Sequence, residues 1–329
     1  MPLVRKFWHI ALMGASYKLK LLKPLCPPYQ YAVEATNYCN FRCSFCPQSD
    51  PEHRGRRQSG FLTLEDFQLY LQRIKAEKPG NINLSICLDG EPLMNKQFPE
   101  FIRLAHEQGF FPRFSSNGRL ITPETADRLA QAGGFLASID FSPDPAIFET
   151  IRGKPGDFKV VLDNLQHLVR LAQSNPRVQL EIVDISGFTG CDPKLSLHKM
   201  RDLFPPELPA NIAFWNRIFH NFAGHLTHEI KKTKYTLCPY PWSTMSVTWE
   251  GDVVACCRDT AARTRLGNVF QKPIREIWLG DKFTAMRRDL VEGRPDKIAA
   301  CKNCDMPWSG DTAPDRWRLS NIISTLLRR

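Results

Sequence analysis

The chain has 329 residues, 43% of them hydrophobic, which is enough to bury a large core in one sizeable domain and a smaller one. Lys and Arg outnumber Asp and Glu by 44 to 34, and nine of those bases stand in residues 1–33 and 316–329. Without these ends the charges of the body are balanced. The composition excludes disordered and fibrous proteins, and the balanced body argues against a nucleic-acid-binding protein.

The first 27 residues form a basic amphipathic segment, in which Phe7, Trp8, Leu12, Leu19 and Leu22 stand among the bases. This segment is predicted either to pack on the body as a helix or to lie on an anionic membrane surface or a partner. The apolar run over residues 8–15 is too short to span a bilayer and has no clear cleavage site. Eleven cysteines suit a reducing compartment if they bind metal, so we expect a cytoplasmic protein.

Between residue 30 and about residue 215, short apolar runs alternate with amphipathic stretches, a pattern typical of repeated strand–helix units. It predicts an α/β fold with a parallel sheet and helices outside it. Six strands are expected, at residues 31–35, 83–88, 111–115, 135–139, 178–183 and 212–215. One helix is expected from Asp157, and another from Pro123 with Thr122 as its N-cap.

Composition changes after the last predicted strand, where prolines and then lysines lead to a cysteine-rich region. This change predicts a domain boundary near residue 230. The expected organisation is a basic N-terminal segment (1–27), an α/β domain (28–230), a cysteine-rich domain (231–310) and a basic tail (311–329).

The segment after the first predicted strand carries Cys39, Cys43 and Cys46 in a C-x3-C-x2-C pattern. Three thiolates at this spacing can bind one face of a cubane iron-sulfur cluster and leave the fourth iron open to another ligand. The alternatives are a zinc site or buried structural thiols. A structural zinc site normally has four ligands, often in paired C-x2-C units, and this pattern fits it poorly.

This motif, with the aromatic Phe45 before its last cysteine, resembles the signature of the radical S-adenosylmethionine (radical SAM) superfamily. The resemblance implies a partial (β/α)6 barrel. It also implies a 4Fe-4S cluster that donates an electron to bound S-adenosylmethionine, which gives a 5'-deoxyadenosyl radical that takes a hydrogen atom from substrate.

The same resemblance assigns cofactor contacts to turns that follow the predicted strands. Asp89-Gly-Glu-Pro resembles the family's Gly-Gly-Glu-Pro turn, but has Asp89 in place of the first glycine. Arg152 resembles a position that reaches the cofactor carboxylate. The implied cofactor-binding residues are Phe45, Gly90, Glu91, Pro92, Ser116, Asn117, Ser138, Asp140 and Arg152.

Five cysteines lie between residues 238 and 304, around a Gly-x4-Cys spacing. This region resembles the SPASM or twitch auxiliary-cluster domain of radical SAM enzymes, which implies a second 4Fe-4S cluster bound by Cys238, Cys256, Cys301 and Cys304. Four thiolates would suit structural zinc equally well. Cys257 is either a small buried residue or a hydrogen-atom donor to a substrate radical. Cys26, Cys87 and Cys191 are expected to be structural.

A fully ligated second cluster suggests electron transfer, and so a dehydrogenase. Short auxiliary domains of this kind resemble those of enzymes that dehydrogenate or epimerise sugars and aminocyclitols. The alternatives are a peptide-modifying enzyme and, in another class, a non-catalytic metal-binding scaffold. The end of the last predicted strand, where substrate is expected, carries Trp215, Asn216, Arg217, His220 and Asn221, and His220 is a candidate base. A flavodoxin- or ferredoxin-type electron donor is also expected.

Overall fold

The computed structural model describes residues 3–80, 82–217, 220–226 and 234–308. Its helices are α1 (Leu3–Lys18), α2 (Pro51–Gly55), α3 (Leu64–Ala76), α4 (Phe98–Glu107), α5 (Pro123–Ala132), α6 (Pro145–Arg152), α7 (Asp157–Ser174), α8 (Pro193–Arg201), α9 (Tyr240–Ser243), α10 (Ile274–Trp278) and α11 (Asp281–Val291). Its strands are β1 (Gln30–Val33), β2 (Asn83–Ser85), β3 (Pro112–Ser116), β4 (Phe135–Phe141), β5 (Val178–Asp184), β6 (Ile212–Asn216), β7 (Thr244–Val247), β8 (Asp252–Val254) and β9 (Arg265–Asn268).

All six strands expected from the sequence form, as β1 to β6, with limits that differ by at most three residues. The α/β class with a mostly parallel sheet is therefore confirmed. The predicted domain limits stay a prediction, because the boundary near residue 230 and the basic tail (311–329) lie outside the described residues.

The chain forms two compact units, each made from separate stretches of sequence. We call Glu34–Leu64 with Leu84–Phe219 the central unit. We call Met1–Val33, Glu65–Asn83 and His220–Arg329 the terminal unit. The C-x3-C-x2-C motif lies in the central unit, and the five later cysteines lie in the terminal unit.

The central unit is built on a parallel sheet with the strand order β2-β3-β4-β5-β6. Its strands carry buried and less buried residues. Among the buried aromatic side chains, Phe114 contacts both Phe98 and Phe135. Because the strands are parallel, their carboxyl ends lie along one edge of the sheet, where α/β folds place ligand-binding turns. The turn at Asp89 and the strand residues Ser116 of β3 and Asp140 of β4 all belong to that edge.

Two helices of the central unit form where the sequence predicted them. In α7 the side chains at three-and-four spacing are buried, from Val161 through Leu165 and Leu168 to Ala172. At the start of α5, the side-chain oxygen of Thr122 accepts a hydrogen bond from the amide of Thr125, at 3.2 Å. Apolar periodicity and N-cap chemistry were thus sufficient to locate these helices.

The terminal unit pairs β1 with β7 in parallel and continues through the antiparallel strands β8 and β9. Its core contains the buried Trp242, Trp278 and Arg287. Through Nε and Nη1, the guanidinium of Arg287 donates to the backbone carbonyls of Pro241, Leu22 and Trp278, so backbone oxygens replace part of the water that this buried charge has lost.

Helix α1 belongs to the terminal unit and buries one of its faces, which includes Ile10, Met13 and Tyr17. The described part of the chain contains no helix that combines the length and apolarity required to cross a bilayer.

Candidate active site and metal centres

The three cysteines of the C-x3-C-x2-C motif lie in one loop, which backbone hydrogen bonds hold in place. The amide of Cys46 donates to the carbonyl of Cys43 (2.9 Å), and the amide of Ser49 donates to the carbonyl of Cys46 (3.0 Å). The amide of Ser44 donates to the carbonyl of Ile151 in α6 (2.9 Å). The loop therefore carries its thiols on consecutive short turns that are tied to a helix.

Burial makes the thiols of Cys39 and Cys46 hard to ionise in the absence of metal. It raises the pKa of Cys39 to about 12, and the negative charge of Glu91 adds to the effect. It also raises the pKa of Cys46, with Asp89 and Cys43 as further causes. Cationic iron reverses this balance, because cysteine binds metal as thiolate. Three neighbouring sulfur donors of this kind fit an iron-sulfur cluster.

Arg152 at the end of α6 lies against this loop. One nitrogen of its buried guanidinium, Nη1, lies 3.2 Å from the sulfur of Cys43, and Nη2 donates to the carbonyl of Asp140 at 2.5 Å. The rings of Phe41 and Phe148 flank the guanidinium, with centroids at 5.5 and 5.6 Å. A permanent positive charge thus lies beside one expected cluster ligand. Its predicted contact with a cofactor carboxylate stays a prediction.

Glu91 connects three of the sequence motifs. Its buried carboxylate accepts hydrogen bonds from the hydroxyl of Ser116 and the amide of Asn117, both at 2.8 Å. The side-chain amide of Asn117 in turn donates to Asn40 of the cysteine loop, at 2.8 Å. Burial raises the pKa of Glu91, and the hydrogen bonds it accepts oppose that rise. Glu91, Ser116 and Asn117, predicted separately as cofactor-binding residues, are therefore brought into one cluster.

Gly90 explains why this turn requires glycine. Its φ is +69°, and a Cβ there would lie 2.5 Å from the carbonyl oxygen of Tyr38 and 2.6 Å from that of Thr36. The amide of Glu91 donates to the carbonyl of Tyr38 at 2.7 Å. The turn therefore packs backbone against backbone on the segment that leads to Cys39, which only a residue without a side chain allows.

Ser138 and Asp140 lie on β4, the former buried. The carboxylate of Asp140 forms an ion pair with Arg217, whose backbone amide donates to the carbonyl of Asp184 at 2.8 Å. Burial lowers the pKa of Arg217. Arg217, which follows β6, thus forms a charged pair in the central unit with Asp140, the residue expected to face the cofactor ribose.

Phe45 stacks on Phe188, with ring centroids 3.8 Å apart and ring planes 10° apart. Pro92 begins the short 3-10 helix Pro92–Met94, and the Glu91 carboxylate accepts from the amide of Leu93 at 3.3 Å. Phe45, the aromatic residue of the cysteine motif, is thus positioned by the ring of Phe188. The sequence analysis did not single out Phe188.

A buried pair that the sequence analysis missed lies beside the cysteine loop. Nε2 of His53 in α2 is 3.0 Å from Oδ2 of Asp89, the residue that departs from the family's glycine. Oδ1 of Asp89 accepts from the amide of Gly90 at 3.0 Å. His53 and Asp89 line a cavity of about 210 Å³ together with Cys39 and Arg54. The one signal in the sequence was Asp89, an acidic residue where the family has glycine, because a buried carboxylate requires a hydrogen-bond partner.

The second cysteine set surrounds one small cluster of side chains in the terminal unit. Cys304 packs with Tyr240 and Met306, and Cys238, Cys256 and Cys257 pack against these three. Burial raises the pKa of Cys238 to about 12. It also raises the pKa values of Cys301 and Cys304. As in the first loop, buried sulfur is the donor type, and it fits a cluster bound by cysteine alone.

Cys256 is one of the cysteines that pack against Tyr240, Cys304 and Met306. Burial raises its pKa, and the further causes are the four other thiols, those of Cys257, Cys301, Cys304 and Cys238. The structure therefore brings all four expected ligands together and keeps Cys257 adjacent to them. The choice of Cys256 over Cys257 as ligand remains a prediction.

His220 precedes Asn221, which is hydrogen-bonded to the residues on either side of Cys304. Its Nδ1 accepts from the amide of Phe222 at 3.2 Å. The next residue, Asn221, donates through Nδ2 to the carbonyl of Asn303 (2.7 Å) and through its backbone amide to the carboxylate of Asp305 (2.8 Å). His220 thus lies in the terminal unit near the residues that flank Cys304.

In residues 3–80, 82–217, 220–226 and 234–308, no group of three or more His, Cys, Asp or Glu side chains has an arrangement that could hold a single metal ion. Both cysteine sets have the donor chemistry of an iron-sulfur site, because their buried and partly buried thiols are gathered on short loops.

Comparison with known proteins identifies the class. Residues 33–199 match the model of the radical SAM superfamily, and residues 238–305 match that of the iron-sulfur cluster-binding domain SPASM. The chain belongs to the radical SAM superfamily and carries a SPASM domain. The resemblance inferred from the cysteine motifs is confirmed. The protein is a radical SAM enzyme, and its cofactors are S-adenosylmethionine and 4Fe-4S clusters in both domains.

Two curated relatives illustrate the range of the family. The S-adenosyl-L-methionine-dependent 2-deoxy-scyllo-inosamine dehydrogenase of Niallia circulans is 24% identical over 279 residues, which cover 83% of this chain and 91% of that protein. The AdoMet-dependent heme synthase of Nitratidesulfovibrio vulgaris is 31% identical over 138 residues, which cover 42% of this chain and 36% of that protein.

Solved structures share the fold. BtrN in complex with AdoMet and 2-DOIA has a TM-score of 0.57 at 20% identity, with 84% of this chain and 93% of BtrN covered. SuiB of Streptococcus suis, bound to its precursor peptide SuiA, has a TM-score of 0.52 at 16% identity, with 88% of this chain and 73% of SuiB covered. The structure named "Native anSMEcpe with bound AdoMet" has a TM-score of 0.60 at 14% identity, with 91% of this chain and all of that chain covered.

Proposed function

We propose that this enzyme dehydrogenates a sugar or an aminocyclitol at a carbon that carries a hydroxyl group. The observation that carries the proposal is the near full-length likeness to the 2-deoxy-scyllo-inosamine dehydrogenase, with 91% of that protein covered. The five thiols gathered in the terminal unit support it, because they suffice to ligate one further cluster fully and no more.

When bound, the first cluster and S-adenosylmethionine would supply a 5'-deoxyadenosyl radical. Conversion of the alcohol to a ketone then requires the loss of one hydrogen atom, one proton and one electron from the substrate. A cluster with four thiolate ligands has no open iron for substrate, which suits it to accept that electron.

The residues of the central unit have proposed binding roles. Cys39, Cys43 and Cys46 would hold the first cluster, and Glu91 with Ser116 and Asn117 would bind the amino end of the cofactor. Ser138 and Asp140 would face its ribose, and the Asp140–Arg217 pair would bind polar groups at the same edge of the sheet. Gly90 and Pro92 would shape the turn. Arg152 packs on the cysteine loop, and Phe45, within that loop, stacks on Phe188.

The residues of the terminal unit have the remaining proposed roles. Cys238, Cys256, Cys301 and Cys304 would ligate the auxiliary cluster. His220 would accept the substrate proton, since a histidine titrates near neutral pH. Cys257 would donate a hydrogen atom if the product is an epimer rather than a ketone, because a thiol on the opposite face can return the hydrogen.

The first test is product analysis with anaerobically reconstituted enzyme, S-adenosylmethionine and a chemical reductant. We expect 5'-deoxyadenosine and a ketone from 2-deoxy-scyllo-inosamine or a related aminocyclitol or sugar, with substrate deuterium recovered in the 5'-deoxyadenosine. Cofactor cleavage that no sugar or aminocyclitol stimulates would contradict the proposal. Epimer formation that disappears in Cys257→Ala, while deuterium transfer persists, would assign epimerisation.

A peptide substrate is the second candidate, supported by the fold shared with SuiB bound to its precursor peptide. The same assay distinguishes the two candidates. Cleavage stimulated by a peptide, with a changed peptide mass and no effect of aminocyclitols, would assign a peptide-modifying enzyme.

The electron donor is proposed to be a small acidic redox protein of the flavodoxin or ferredoxin type. The exposed Arg42, Arg56 and Lys154 lie on segments around the cysteine loop and would attract such a donor. We expect its rate of cluster reduction to fall steeply as salt rises, and a rate that is insensitive to salt would contradict this. A separate contact with a membrane is proposed for the basic ends of the chain.

A further inference from the structure

Helix α1 has two apolar faces on opposite sides. One face is buried in the terminal unit and contains His9, Ile10, Met13, Ser16 and Tyr17. The other face carries Val4, Phe7 and Trp8, whose exposed fractions are 67%, 49% and 59%. A helix that packs only on its own domain needs one apolar face, so the packing of the described residues (3–80, 82–217, 220–226 and 234–308) leaves the second face unexplained.

The buried face is anchored by specific contacts. The ring nitrogen Nε2 of His9 lies 2.9 Å from the carbonyl oxygen of Pro27, and the hydroxyl of Tyr17 donates to the carbonyl of Leu237 at 2.6 Å. Gly80 packs so tightly against the helix that a Cβ there would lie 2.4 Å from the carbonyl oxygen of Arg5. The orientation of the exposed face is therefore fixed within the terminal unit.

The charges around the exposed face are of one sign. Arg5, Lys18, Lys20 and Lys23 are exposed, and residues 1–33 contain no Asp or Glu. Leu19 and Leu25, 68% and 57% exposed, add apolar area next to these lysines. Aromatic side chains with Lys and Arg on one helix match the interface of an anionic bilayer, in which aromatic rings insert among headgroups and the bases meet phosphates.

A lipid surface explains this face better than a protein groove does. The apolar side chains project from the outer side of a single helix, and the rings of Phe7 and Trp8 contact one another edge to face, with centroids 6.0 Å apart. The other end of the chain has the same composition, since residues 316–329 combine four arginines with Trp317 and contain no acid.

We propose that α1 is a peripheral docking helix for anionic lipid, with Phe7 and Trp8 inserted at the headgroup level and Arg5, Lys18 and Lys20 against lipid phosphates. This interaction concerns where the enzyme works and goes beyond its reaction. It uses only side chains to which no role in catalysis or cofactor binding is assigned.

The test is co-sedimentation of the reconstituted full-length enzyme with vesicles of pure phosphatidylcholine, or of phosphatidylcholine with about one third phosphatidylglycerol. We expect binding to the anionic vesicles alone, and weaker binding at higher salt. The Phe7→Ser/Trp8→Ser variant should lose at least about tenfold in apparent affinity. Arg5→Glu/Lys18→Glu should lose about as much, because each base near the surface contributes roughly fivefold.

The matched control is Leu195→Ser on α8, which removes an apolar side chain that is 57% exposed on the central unit. It should bind vesicles like the wild type. Iron content and deoxyadenosine formation should be unchanged in all variants, which excludes misfolding as the cause. Equal binding to neutral vesicles, or full binding by Phe7→Ser/Trp8→Ser, would overturn the proposal. The proposal would also be overturned if no form of the protein bound vesicles and the wild type formed a dimer that Phe7→Ser/Trp8→Ser does not form. The exposed face would then bind a second copy of the chain.

Discussion

The imidazole of His53 and the carboxylate of Asp89 are 3.0 Å apart in the interior of the central unit, where the side chains are only 3% and 6% exposed. The two residues are 36 positions apart in the sequence. Asp89 also accepts from the amide of Gly90, so this pair joins α2, which follows the cysteine loop, to the turn that holds Glu91. His53 thereby compensates for an acidic residue where the family has glycine.

This pair is expected to contribute to stability, since removal of one partner leaves the other buried without it. His53→Ala and Asp89→Asn should each lower the free energy of unfolding by about 1–3 kcal/mol, and the double variant should lose less than the sum. The measurement is denaturant unfolding of all four proteins. His167→Ala and Asp127→Asn form the control cycle, because that histidine–aspartate pair (3.1 Å) is much more exposed. Equal coupling in the two cycles would refute the structural role of His53.

Glu91 is expected to control cofactor affinity. Glu91→Gln keeps the shape of the side chain but removes the charge that would meet the amino group of S-adenosylmethionine. We expect the dissociation constant to rise about 10- to 100-fold in anaerobic equilibrium dialysis, as for loss of a charged hydrogen-bond partner. Glu52→Gln, an exposed acid of α2, is the control and should leave the affinity unchanged. Equal affinities for both variants would remove Glu91 from the cofactor site.

Alanine substitutions at Gly90 and Gly109 distinguish the stability cost of a positive φ from the cost of steric crowding. Both have positive φ, +69° and +83°, but a Cβ at Gly109 would meet nothing within 4 Å. Gly109→Ala should therefore cost only about 1–2 kcal/mol of stability. Gly90→Ala adds a clash with two backbone carbonyls and should cost more, with weaker cofactor binding as well. If Gly90→Ala and Gly109→Ala lost similar stability in thermal unfolding, the turn at Gly90 would accommodate a side chain.

Cys256 and Cys257 can be distinguished by iron content. The reconstituted wild-type enzyme should contain about eight irons, Cys256→Ala about four, and Cys257→Ala about eight. The reason is that only the four expected ligands hold the auxiliary cluster. Iron and acid-labile sulfide are measured together, and zinc is measured on the same samples. The reverse result for the two variants would exchange their roles, and four irons with one zinc in the wild type would remove the second cluster.

Cys26 should make stability fall at alkaline pH. Burial raises the pKa of its thiol from 9.0 to about 12 in the folded chain. The stabilisation that favours the neutral thiol is therefore complete below pH 9 and is lost as the pH rises toward 12, by about 2 kcal/mol near pH 10.5. Unfolding free energies of the wild type and Cys26→Ala should differ by a constant below pH 9 and converge above it. Cys191→Ala is the control, and a constant difference throughout would contradict the assignment.

Local sequence patterns were sufficient for much of the fold. The six strands and helices α5 and α7 have apolar periodicity or cap residues that act over a few positions, so each could be predicted by itself. The strands β7, β8 and β9 have three or four residues, as β1 and β2 do, but they lie in the cysteine-rich region, outside the strand–helix alternation that identified the first six strands. Nor could any pattern predict that residues 65–83 belong to the terminal unit, because that depends on long-range packing.

The candidate site was predictable to the extent that chemistry follows spacing. The cysteine motifs and the Gly90–Glu91 turn are local, and the structure brings Glu91, Ser116 and Asn117 together as expected. The contact of Arg152 with Cys43 and the pairs His53–Asp89 and Asp140–Arg217 each join residues far apart in the chain. Only the folded chain determines such partners. The one sign of them in the sequence was Asp89, which stands where the family has glycine.

The backbone contact between Gly90 and Tyr38 also determines how this region moves. The amide of Glu91 is bonded to the carbonyl of Tyr38, and the amide of Asn117 is bonded to the carboxylate of Glu91. Neither bond can open without disturbing the other, so three loops must unfold locally as a single cooperative unit. In native-state hydrogen exchange, the amides of Glu91 and Asn117 should then become exposed with one common opening free energy, although 26 positions separate them.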